Sequence, residues 1–155
     1  MRSVALVLGT LSTMLVPGFT APPAEAAGPS LGSGERAVVR AINGARGRNG
    51  LGPLRGSMQL SAAADVHTRY MLAADSFAHA DFARRIRRHT RARHTGETLA
   101  MASRCSPRRI VGMWMNSSSH RAVLLSGGFR RVGIGARTGQ LGSRRACLVT
   151  ADFAS

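Results

Sequence analysis

Residues 113–125 read MWMNSSSHRAVLL, and residues 105–112 just before them read CSPRRIVG. Ser106 stands where a helix cap is wanted, Pro107 suits a first turn, and Ile110, Met113 and Trp114 recur at i, i+3 and i+4. The spacing predicts a helix that stops near Asn116, where three serines follow. A short helix then runs from about His120 to Leu125, closed by Gly127 and Gly128. Trp114, the one tryptophan, falls on the apolar side of the first of these helices and reads as core.

Working outward, residues 131–137 and 145–153 read as two strands joined by a Gly-containing turn. Toward the N-terminus, Val38, Ile42 and Ala45 predict a helix over Glu35–Arg48, ended by Asn49-Gly50 and Gly52-Pro53. A second helix fits Ser57 to about Asp75, with Ser57 as cap and Leu60, Ala64, His67 and Met71 along one face. His67 in that apolar stripe reads as a hydrogen-bonded core histidine. The segment DFARRIRRHTRARHT, residues 81–95, is too basic for a core; Phe82 and Ile86 can anchor one short helical turn in what reads as a surface connection. A further strand is needed near Gly96–Ala100. Helices followed by a terminal hairpin predict an α+β domain, with helices packed on a small antiparallel sheet.

At 155 residues and 44% hydrophobic content the chain is the size of one domain with one core. Arg2, the uncharged run Val4–Val16 and the small residues up to Ala26-Ala27 follow the order of a cleavable export signal, and the apolar run is too short to span a bilayer. The expected organisation is a signal peptide over 1–26, a flexible leader over 27–34 and a folded domain over 35–155, secreted and monomeric. Two cysteines, Cys105 and Cys147, remain; export favours a disulfide between them over two free thiols. The net charge is +15, and every basic residue is arginine. Such a surface attracts anionic membranes or wall polymers.

H-E-x-x-H, Walker and G-x-G-x-x-G motifs do not occur. What stands out is a set of isolated polar residues: His79 in FAHADF, Glu97 in GETLA and His120 in NSSSHRAVLL. In order along the chain, INGARGRNGLGPL (42–54), FAHADF (77–82), GETLA (96–100), MWMNSSSHRAVLL (113–125) and RRVGIG (130–135) resemble the successive segments of the bacterial branch of the CAP superfamily, the cysteine-rich secretory proteins, antigen 5 and pathogenesis-related 1.

The resemblance implies an α-β-α sandwich with a cavity in which His79, Glu97 and His120 converge and can hold a divalent metal. It leaves the family's second glutamate without a counterpart, since Ser117 stands three residues after Trp114; Thr98, Ser118-Ser119 and Val123 also depart from the pattern. Two imidazoles and one carboxylate are the minimum set for Zn²⁺ or another divalent cation, and a zinc-bound water would open the way to hydrolysis; the same three residues can equally form a hydrogen-bonded network that orients the cavity wall. Asp81, the nearest spare carboxylate, reads as a cap or as a partner of adjacent arginines. Some family members bind sterols or fatty acids, so a lipid or small apolar ligand is expected here. The cluster Arg84, Arg85, Arg87, Arg88, Arg91 and Arg93 forms a basic patch. It has no interleaved aromatics, so specific nucleic-acid binding is not expected. A non-enzymatic binding protein is the leading expectation, ahead of a metal-dependent hydrolase and an exported interaction scaffold.

Overall fold

The computed structural model describes residues 31–155; the expected export signal and the leader up to residue 30 lie outside the described residues. The chain runs α1 (Ser33–Arg48), β1 (Arg55–Gly56), α2 (Met58–Ala73), α3 (Phe82–His89), β2 (Thr95–Ala102), α4 (Pro107–Asn116), α5 (Ser118–Leu124), β3 (Arg131–Leu141) and β4 (Arg144–Ala154). Among the described residues, no helix is long and apolar enough to cross a membrane.

The α+β class holds, with three refinements. The sheet is mixed, because β1 runs parallel to β3 in the order β1-β3-β4-β2 while the other pairs are antiparallel. Residues 31–34 belong to the fold and not to a leader: α1 begins at Ser33, and Leu31 packs on the main core. The basic segment after Asp81 is an eight-residue helix, wider than a single turn, because Ile86 is fully buried against Leu60, Ala92 and Ala154. Asp81 caps it through the Arg84 N–H, as the sequence suggested.

The period of two along the strands sends alternate residues to opposite faces. Val132, Ile134, Val149 and Phe153 meet Val38 and Ile42 of α1, Ile110 and Trp114 of α4, and Leu124 of α5 in the main core. Trp114 is fully buried with its indole N–H donating to the Leu99 carbonyl at 2.8 Å, so its one polar atom is not orphaned. The Cys105–Cys147 disulfide ties the loop before α4 to β4 and closes a separation of 42 residues, which contributes about 4 kcal/mol in the chain-entropy account.

Arg46 is a buried residue of α1 with no ion-pair partner among the described residues; its guanidinium donates to the carbonyls of Gly52, Leu124 and Ser126 at 2.7–2.9 Å and pins the end of α5 to the loop after α1. Burial pulls its pKa below the usual guanidinium value, with the charge of Arg130 adding to the effect.

On the other face, α2 lies directly on β3. A Cβ on Gly133 would stand 2.1 Å from backbone atoms of Leu60 and Ser61, and one on Gly135 would stand 2.5 Å from those of Ala64 and Asp65. Ser61 Oγ accepts from the Ile134 N–H at 2.9 Å, locking helix to strand. The RRVGIG string therefore sets the distance between two layers. Gly133→Ala is expected to destabilise the domain by about 3 kcal/mol or more, since backbone must move to admit one methyl. Urea unfolding would check this, and a midpoint within error of wild type would refute it.

Candidate functional site

The face of the sheet under α2 and α3 carries charge. Glu97 on β2 is directly opposite Asp152 on β4, and their side chains are fully buried. Two acids facing each other across neighbouring strands, out of water, are unfavourable unless a cation or a proton lies between them. α3 supplies the cation. Arg85, its side chain 14% exposed, donates from Nη2 to Asp152 Oδ1 at 2.9 Å and to Glu97 Oε2, and from Nε to Asp152 Oδ2 at 3.4 Å.

Two histidines complete the cluster. His79 donates from Nδ1 to Glu97 Oε1 at 2.8 Å while half of its side chain stays exposed. It is presented by a turn in which Ala80 adopts φ +37°, a conformation rare for a residue with a side chain. His67 on α2 donates from Nε2 to the Ala78 carbonyl at 3.0 Å and stands 3.7 Å from Glu97 Oε2. It is buried and hydrogen-bonded, as the sequence suggested, yet it is also part of the cluster wall.

Desolvation pushes the Asp152 carboxyl up to about 7; Arg85 opposes this and Glu97 adds to it. Burial is also the main reason that His67 and His120 lie below the ordinary imidazole value, with Arg85 next in the first case and His79 in the second.

Of the residues singled out in the sequence, the structure brings His79 and Glu97 into direct contact. His120 on α5 stands beside them, its ring centre 6.3 Å from that of His79, in a small pocket of about 240 Å³ with Phe77, Met101 and Trp114. Arg85 leaves the basic patch: it points inward, while Arg84, Arg87, Arg88, Arg91 and Arg93 are exposed. Asp152 was not anticipated. It stands on β4, opposite Glu97, away from the position three residues after Trp114, which Ser117 occupies.

As arranged, these residues do not fit a metal. Glu97 is engaged by His79 on one oxygen and by a guanidinium on the other, and His79 Nδ1 is spent on Glu97. Among the described residues, no three His, Cys, Asp or Glu side chains form a cation cage. The string GPSLG at 28–32 matches the serine-hydrolase pattern G-x-S-x-G by letters, but its Ser30 lies outside the described residues.

A roomier cavity lies elsewhere. Across the sheet, a groove of about 830 Å³ runs between α1 and α4, lined by Ala37, Ala41, Gly44, Val111, Gly112 and Met115. Arg40, Arg48 and Arg108 line it too.

The family model for the cysteine-rich secretory protein (CAP) family matches residues 39–153. The chain belongs to the CAP family. Solved CAP-type neighbours include an extracellular protein containing an SCP domain from Bacillus anthracis, with TM-score 0.65 and 22% identity over 78% of this chain and 40% of that one. A cysteine-rich secretory protein from Staphylococcus aureus gives TM-score 0.60 and 20% identity over 78% of this chain and 38% of its own. An outer surface protein from Borrelia burgdorferi gives 0.62 and 20% over 77% and 90%. These likenesses establish the CAP fold. This CAP chain spans well under half the length of the Bacillus and Staphylococcus proteins. No curated protein matches by sequence.

The raised Asp152 gives the domain a measurable pH dependence. Between its ordinary value of 3.8 and about 7, the folded state holds a proton that the unfolded chain has released. The stabilisation from this group is therefore complete below 3.8 and is lost as pH rises through 7. His67 and His120, with lowered values, act in the opposite sense and lose stability as pH falls. Subtracting Asp152→Asn from wild type isolates the acid. The difference in melting temperature, wild type minus variant, is expected to fall between pH 5 and pH 8; a flat or rising difference would show that Asp152 is ionised throughout.

Proposed function

We propose that this CAP protein is an exported, non-enzymatic binding protein that holds an amphiphile with an anionic head, its apolar part lying in the groove between α1 and α4. The observation that carries the reading is the groove itself. Its floor is made of small and apolar side chains, its volume falls within the roughly 300–1,000 Å³ range of ligand sites, and three arginines border it. Among the described residues none of the three is in an ion pair. An acyl-like chain would cover the apolar strip while a carboxylate or phosphate meets a guanidinium fork. The ligand that the sequence assigned to the His/Glu/His cavity is thereby moved to the opposite face of the sheet, since the space beside His120 is only about 240 Å³ and that beside His67, about 360 Å³, is less than half the groove's 830 Å³.

Export is supported by the signal-like N-terminus and by neighbours described as extracellular or as an outer surface protein. Exposed Arg84, Arg87, Arg88, Arg91 and Arg93, together with the net charge of +15, favour attachment to anionic membrane or wall polymers in a salt-sensitive way. The metal-dependent hydrolase reading is not carried forward, because the cluster as arranged does not fit the metal it needs.

A Cβ on Gly112, a half-buried position of α4 that lines the groove, meets nothing within 4 Å, so Gly112→Trp can fill the groove without disturbing the core. With a fluorescent long-chain carboxylate as probe, this variant is expected to bind about tenfold more weakly than wild type or worse, a loss of about 1.4 kcal/mol. Arg40→Ala with Arg108→Ala is expected to weaken the carboxylate but not its methyl ester. Unchanged binding by a folded Gly112→Trp would remove the groove from consideration.

A further inference from the structure

We propose that the Arg85 guanidinium is a tethered substitute for a divalent cation, so that the Glu97–Asp152 centre is complete without metal and becomes a metal site only when that guanidinium is removed. The groups around it are those that chelate divalent ions: two buried carboxyl groups on neighbouring strands, Glu97 and Asp152, and two imidazoles, His67 and His79, within reach of Glu97. A single nitrogen, Arg85 Nη2, touches both acids, and so stands where an ion bridging them would stand. The Nε hydrogen bond to the second Asp152 oxygen makes the contact two-pronged.

The tether is firm. Arg85 is preceded by the Asp81 cap and followed by Ile86, which is fully buried against α2 and the end of β4. The guanidinium is thus held at its partners by the packing of α3, at a high effective concentration that a metal in solution must outcompete. An entering ion would also leave a buried guanidinium without its acids, which is strongly unfavourable. The inference does not depend on the groove reading, because the groove lies across the sheet from this cluster.

The test is zinc titration by calorimetry at pH 7.5 on the disulfide-intact mature protein, with Arg85→Lys, Arg85→Met and the double variant Arg85→Met/Glu97→Gln alongside. Wild type and Arg85→Lys are expected to bind zinc no more tightly than the double variant, which reports the background from exposed His89 and His94. Arg85→Met is expected to bind one zinc about a hundredfold tighter than wild type or more, and Glu97→Gln should abolish the gain. If Arg85→Met is unfolded without metal, recovery of its circular dichroism spectrum on adding zinc supports the proposal, and failure to recover overturns it. One zinc bound by wild type at micromolar concentration and lost in Glu97→Gln overturns it as well, as does a folded Arg85→Met with no gain. A vacant groove with these results intact would sink only the ligand reading.

Discussion

Glu97 and Asp152 are buried opposite one another on adjacent strands, and the inner face of the sheet is tenable because Arg85 reaches both. A large part of the architecture serves that contact. α3 must be a real helix, not an extended surface segment, for Arg85 and Ile86 to leave its inner side together, the first to the acids and the second to the apolar contact that holds the helix down. α2 must lie close to β3 for Leu60 to receive Ile86, and the close approach is set by Gly133 and Gly135. The charge cluster and the helix–sheet spacing are therefore one mechanical problem, solved by two glycines on one side and one arginine on the other.

The alternation of the strands divides the molecule into two compartments. Asp152 and its neighbour Phe153 point to opposite faces, so β4 contributes an acid to the cluster and a fully buried ring to the main core within two residues. On the α2–α3 side the sheet carries polar groups that find partners within the fold: Thr68 with Thr150, Ser61 with Ile134, Arg85 with the two acids. On the α1–α4 side it carries apolar residues beneath two helices whose outer seam is lined with small side chains, which leaves a groove. Neither compartment needs the other to be filled.

Elements with a strong period were legible in the sequence. Ser57 as cap, the Pro107 start, the end of α4 at Asn116 and the terminal hairpin all follow from local chemistry, and the structure places them within a few residues. Glu97 was legible because one acid in GETLA conflicts with its surroundings, and His79 followed from the segment resemblance. Asp152 was not legible: in LVTADFAS it passes for the polar end of a strand, and only the β2–β4 register reveals that it faces Glu97. Arg85 was hidden for a different reason. Five neighbouring arginines give it the appearance of a solvated charge run, and only the rotation of α3, fixed by the burial of Ile86, separates it from them. Thr98 illustrates a third kind of miss, since its hydroxyl is buried with no partner among the described residues, a cost that no local pattern signals.

Arginine serves two unrelated purposes in this chain, and the distinction bears on how a family site should be transferred. At the surface its charge acts collectively, and the identity of any one residue matters little. At position 85 geometry decides: a planar fork with donors on adjacent nitrogens meets both oxygens of Asp152 and one of Glu97. Finding His79, Glu97 and His120 in the expected order says which strands and helices carry the site. It does not say what neutralises it, because that depends on a residue from α3 outside the matched segments. Here the charge that meets both acids is covalently part of the chain, carried by the guanidinium of Arg85.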